Sequence, residues 1–106
     1  MSQPVATLEV FGNLGDAPKF PIRVSLFAPV LAETPSTFTC LVEVLPLDSK
    51  ARAIYGEGSM QALCLAARHA IQSLATFVEQ GGRLTYANSD DDFDVSAYGF
   101  RLLGEG

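Results

Sequence analysis

With 106 residues, 48% hydrophobic and 18% charged, the chain has the composition of one folded domain, 1–106, able to bury a core without disulfides or metal. Its net charge of −5 comes from 12 acids against 7 lysines and arginines, which excludes the clustered basic patch that nucleic acid requires. No apolar run approaches the ~20 residues of a membrane span, and the first residues carry no basic or apolar leader character, so the expected address is the cytoplasm.

Val5 to Phe11 predicts a first strand, with Ala6, Leu8 and Val10 on one face and Thr7 and Glu9 on the other. Gly12 to Pro18 is a turn cluster. Ile22, Val24, Leu26 and Ala28 alternate with Arg23, Ser25 and Phe27 as a second strand, and Pro29 and Pro35 bracket a loop. Phe38 to Val44 makes a third strand, and Ala51 to Tyr55 a short fourth one after the turn Pro46–Lys50. Short loops make an antiparallel meander the economical pairing. Its inward face is expected to hold Leu8, Val10, Ile22, Val24, Leu26, Phe38, Cys40, Val42 and Val44.

The segment from Gly58 to Gly82 then predicts one amphipathic helix, about residues 59–80. At about 100° per residue, Met60, Leu63, Cys64, Ala67, Ile71, Leu74 and Val78 gather on one side. Gln61, Arg68, His69, Gln72, Thr76, Glu79 and Gln80 gather on the other. Ser59 is the expected N-cap and Gly81-Gly82 the left-handed stop. Beyond it, Leu84 and Tyr86 are expected to pair with Phe93, Val95 and Ala97 as a C-terminal hairpin around Asp90–Asp92. The predicted fold is therefore α+β: a meander of about four strands packed on one long helix, followed by a hairpin.

Residues that carry chemistry are sparse. Asp90, Asp92 and Asp94 have the alternate spacing of a calcium loop, but Val95 stands where that loop needs glycine, so an acidic turn is expected and no metal site. His69 is the one histidine and faces away from the predicted core, which leaves no histidine relay. Ser59 and Ser73 lie in no nucleophile motif, and Glu57 would repel a phosphate from the helix start. Cys40 and Cys64 both read as small core residues, unpaired in a reducing compartment. No cofactor and no catalytic residue are expected.

Three apolar residues break the pattern. Leu65 falls among the polar residues of the helix, while Phe27 and Leu41 point away from the helix on neighbouring strands. Phe27 and Leu41, with Phe11, form a patch on the open sheet face, suited to a second copy or another protein. The competing reading has the run Tyr98–Leu103 folding back over it.

The stretch Tyr55-Gly56-Glu57-Gly58-Ser59-Met60-Gln61-Ala62-Leu63 resembles the helix start of small bacterial proteins known as domains of unknown function, and Gly81-Gly82-Arg83-Leu84 matches their following turn and strand. Those proteins more often carry Asp where Gly58 stands. The resemblance implies a bacterial strand-then-helix domain, and neither an activity nor a catalytic residue.

Two functions follow as expectations. The first is a non-catalytic protein-interaction module, pairing with itself as a homodimer or with a basic protein as a toxin's immunity protein does; residues 57–106 hold seven acids against three bases. The second is a small-molecule-binding domain or minor enzyme, with a pocket between helix and hairpin lined by Tyr55, Arg83, Tyr86 and Asp90–Asp94.

Overall fold

Alternating apolar and polar residues carry the first half of the chain into five strands: β1 (Pro4–Leu14), β2 (Phe20–Phe27), β3 (Val30–Leu31), β4 (Phe38–Leu45) and β5 (Arg52–Gly56). Helix α1 (Ser59–Glu79) and strand β6 (Gly82–Tyr86) follow, and one 3-10 turn spans Val95–Tyr98. These elements belong to a computed structural model that describes residues 3–32 and 36–100.

All strand pairs are antiparallel. β5 lies beside β4, β4 beside β2 and its short continuation β3, β2 beside β1, and β1 beside β6. The chain thus runs a meander out to β5, crosses back over the sheet as α1, and adds β6 against the far half of β1. The expected inward face is the observed one. Val10, Ile22, Val24, Cys40, Val42 and Val44 are buried, with Leu8, Leu26 and Phe38 packed against them.

The helix lies where it was expected but is turned about its axis. Its buried residues are Ala62, Ala66, Ala70, Ile71, Leu74 and Phe77. Met60 is 78% exposed, and Val78 and Cys64 are also exposed, so these three leave the predicted core face. The physical reason is proximity. Small alanines let the helix backbone settle close to the strands, and the larger Ile71, Leu74 and Phe77 fill the space where layers diverge, each worth roughly 1.5–3 kcal/mol of burial. The Phe77 ring lies over the backbone of Gly12 and Gly82 and meets Phe20 edge-on at 5.9 Å. Any side chain at Gly82 would occupy the space of that ring.

The helix ends differ from expectation at the start and agree at the stop. Gly58, extended and without a side-chain cap, is the N-cap, and Ser59 is already helical. The Gln61 side chain instead accepts the Glu57 N–H, satisfying an amide that would otherwise go unpaired. At the other end Gly81 takes a φ of 100° and turns the chain into β6.

The predicted hairpin shrinks to a bridge. β6 joins the main sheet, and among the described residues the pairing beyond it is the single bridge of Thr85 with Asp92. Asp94 then accepts the Ser96 N–H at 2.9 Å, which starts the 3-10 turn and removes Val95 and Ala97 from any strand. Tyr86 meets Phe93 edge-on and Phe93 meets Tyr98 at a tilt, with centroids 5.4 and 5.6 Å apart, and the three rings close that side of the core. Among the described residues no helix is long and apolar enough to cross a membrane.

Candidate functional site

The sheet has one face against α1 and one that, among the described residues, is open to solvent. On the open face, the register that opposes Leu26 to Val42 makes Phe27 and Leu41 neighbours. Leu41 is 45% exposed, and it is flanked by Ala53 across the β4–β5 pair. Thr39 opposes Tyr55 on one side and Val30 on the other; Tyr55 is 61% and Val30 60% exposed. Phe27, Val30, Leu41, Ala53 and Tyr55 therefore form one apolar end of the face. Its middle is polar: Arg23 donates to Glu9 at 3.3 Å, Glu43 opposes Ser25, and Ser25 is buried among them.

Of the three off-pattern residues, Phe27 and Leu41 are thus brought together, while Leu65 and the expected patch neighbour Phe11 lie elsewhere. Phe11 opposes Pro21, six residues along β2 from Phe27 and roughly 20 Å away at strand spacing. Leu65 lies on the solvent side of α1, in a shallow hollow with Arg68, His69 and Gln72, on the opposite layer of the molecule. Tyr98 and Phe100 lie on the helix side, where they line one hollow with Ala67, Ala70 and Ile71, so neither of them covers the outer face. Arg101, Leu102 and Leu103 fall outside the described residues.

His69 is less exposed than its place on the wheel suggests. It meets the β4–β5 turn, where its Nε2 lies 3.5 Å from Asp48 Oδ2 without forming a hydrogen bond. Asp48 also faces Arg52 at 3.7 Å. Cys40 is buried as expected, donating to the Phe27 carbonyl at 3.1 Å; burial pushes its thiol pKa up and away from reactivity. Cys64, exposed and unpaired, is not the core residue predicted.

The acidic run disperses. Lys19 holds Asp90 at 2.8 Å, Arg83 holds Asp92 at 2.7 Å and Asp94 caps its own turn. Among the described residues, no three metal-ligating side chains converge. The Lys19 hydrogen bond and charge hold the Asp90 carboxyl below the ordinary aspartate value, and hydrogen bonds from Ser96 do so for Asp94. Lys19→Met is expected to return Asp90 toward that value and leave Asp94 unmoved, read by carboxyl carbon-13 titration. Since the folded pKa is depressed in both, their contribution to stability is complete above the unfolded value near 3.9. It disappears as pH falls through the folded one, so it leaves pH 5–8 flat.

The pocket predicted between helix and hairpin is not assembled from the residues proposed for it. β5 and β6 are opposite edges of the sheet, which separates Tyr55 from Arg83, Tyr86 and the acidic turn. A cavity of about 130 Å³ does lie between α1, the first half of β1 and Phe100, but Ala6, Leu8, Leu26, Ala67 and Ile71 make its lining mainly apolar, with Thr7 and Tyr98 at its wall. What the sequence did not disclose is the β5 edge. Val30 sits in a two-residue strand between prolines, and Tyr55 reads only as the end of a short run; strand order alone brings both to Leu41.

A family model described as a domain of unknown function (DUF6968) matches residues 10–97. No curated protein and no solved structure matches the chain.

Proposed function

Because the chain belongs to the DUF6968 family of domains of unknown function, we propose its role from its geometry: a non-catalytic, cytoplasmic module that acts by protein contact and self-associates through the apolar end of its outer sheet face. The observation that carries this reading is the grouping of Leu41, Val30 and Tyr55, large exposed apolar side chains set around Thr39 on a face that has no second layer among the described residues. Isolated exposed apolar residues need no explanation, but a neighbouring set on an open sheet does. Two free thiols accord with a reducing compartment.

Leu41→Glu tests it. The side chain is already half in water, so the variant is expected to stay folded at a cost of about 1 kcal/mol or less. Light scattering across a tenfold concentration range should show a dimer for the parent chain and a monomer for the variant. A parent chain that stays monomeric, or a variant dimer as stable as the parent's, would remove the reading.

A further inference from the structure

We infer that residues 87–92 form an ionic latch over Thr85: Lys19 and Arg83 hold the turn shut, the unpaired Thr85 hydroxyl favours its opening, and the open form uncovers the edge of β6. The latch is independent of the proposed self-association, which uses the other end of the sheet.

Thr85 stands where a hydroxyl should be wet. Its neighbour Leu84 points into the core, so at period two Thr85 points to the outer face, between Phe11 of β1 and Asp92. It is nevertheless 1% exposed, and its Oγ1 has no hydrogen-bond partner among the described residues. What surrounds it is the turn, since Thr85 shares one hollow with Phe11, Lys19, Asn88, Ser89 and Asp90. A hydroxyl offers one donor and two acceptor sites, and burying it unpaired forfeits the hydration of all three. Opening the turn restores that hydration, so the burial of Thr85 works against closure.

Closure is held by few contacts, and they lie at the surface. From the loop between β1 and β2, Lys19 donates to Asp90 at 2.8 Å. From β6, Arg83 donates to Asp92 at 2.7 Å and to the Asp90 carbonyl at 3.1 Å. Every side chain of the two ion pairs is at least 40% exposed, and pairs so placed stabilise weakly. Asp91, set between the two paired aspartates, adds like charge. On the backbone, the Tyr86 N–H donates to the Asp91 carbonyl at 3.1 Å. An unpaired buried hydroxyl offsets contacts of this strength, which brings the closed and open forms close in free energy. The far end of the turn differs. Phe93 is 6% exposed, meets the Tyr86 and Tyr98 rings, and donates its N–H to the Leu84 carbonyl at 2.9 Å. Opening therefore stops at Phe93 and frees the Tyr86 N–H on the edge of β6.

The test is amide exchange in the full chain, read residue by residue by nuclear magnetic resonance, with the β2 amides as the measure of whole-domain opening. Lys19→Met and Arg83→Met are each expected to speed exchange of the Tyr86 N–H about threefold, while Phe93 and the β2 amides keep their rates. Thr85→Val, which preserves the shape and removes the hydroxyl, should slow Tyr86 about tenfold. The β2 amides also report whether each variant keeps its fold. A Thr85→Val chain in which Tyr86 exchanges as fast as in the parent, or faster, shows that the hydroxyl does not oppose closure and overturns the inference. Tyr86 rates unmoved by both Lys19→Met and Arg83→Met overturn the ionic hold. Exchange of Tyr86 in step with the β2 amides in every variant overturns a separate open form.

Discussion

Leu74→Ala is expected to destabilise the domain by about 3–4 kcal/mol and to lower its melting temperature by roughly 15–20 °C. Leu74 is fully buried on the inner side of α1, within the cluster formed by the helix and the inward residues of β1, β2 and β4. Removing three carbons there forfeits their transfer energy and leaves a void that close-packed neighbours fill only partly. Such a loss is large beside the 5–15 kcal/mol that hold a domain of this size. Met60→Ala, on the same predicted face but 78% exposed, is expected to stay within about 0.5 kcal/mol. Thermal unfolding followed by circular dichroism separates the two. Equal losses would mean that the helix is rotated toward the face expected from its largest side chains.

Gly56→Ala is the second large effect, about 3 kcal/mol of destabilisation in urea unfolding. A Cβ at Gly56 would stand 2.5 Å from the Ala62 amide nitrogen, 2.8 Å from the Ala62 Cα and 3.0 Å from the Gln61 carbonyl carbon. These are backbone atoms of the first helical turn, so no rotamer change relieves the contact; the helix start must lift from the sheet. Gly58→Ala supplies the comparison, since nothing lies within 4 Å of its Cβ position. Its cost should be that of a poorer N-cap alone, below about 1 kcal/mol. Comparable losses at Gly56 and Gly58 would show that the close approach contributes nothing.

The same contact explains why the helix was legible as an element but not in its rotation. Met60, Cys64 and Val78 outweigh Ala62, Ala66 and Ala70 in apolar size, so a reading by hydrophobicity turns the larger residues inward. What decides the rotation is how near the sheet stands, and Gly56 permits a distance that only alanine tolerates. The strands were easier. Val10, Ile22, Val24, Cys40, Val42 and Val44 recur at period two among mostly polar neighbours, and a one-residue slip would have exposed all of them. Pairing between β1 and β6 left no such trace, because it joins distant segments and the local signal at Leu84 and Phe93 equally suits a hairpin. Of the candidate surface, Leu41 and Phe27 announced themselves by breaking alternation. Val30 and Tyr55 did not, since whether a short strand is central or marginal depends on the order of the others.

That order has a consequence during synthesis. β1 leaves the ribosome well before β6, so Val10–Leu14 lack this partner until Gly82–Tyr86 emerge. Through most of translation the nascent meander is thus open at both flanks and able to zip onto any extended segment nearby. Arrival of the last strand and its covering turn closes one flank and leaves β5 available. Among the described residues the finished sheet is thus covered at the flank that synthesis completes last and uncovered at the one completed before the helix emerges.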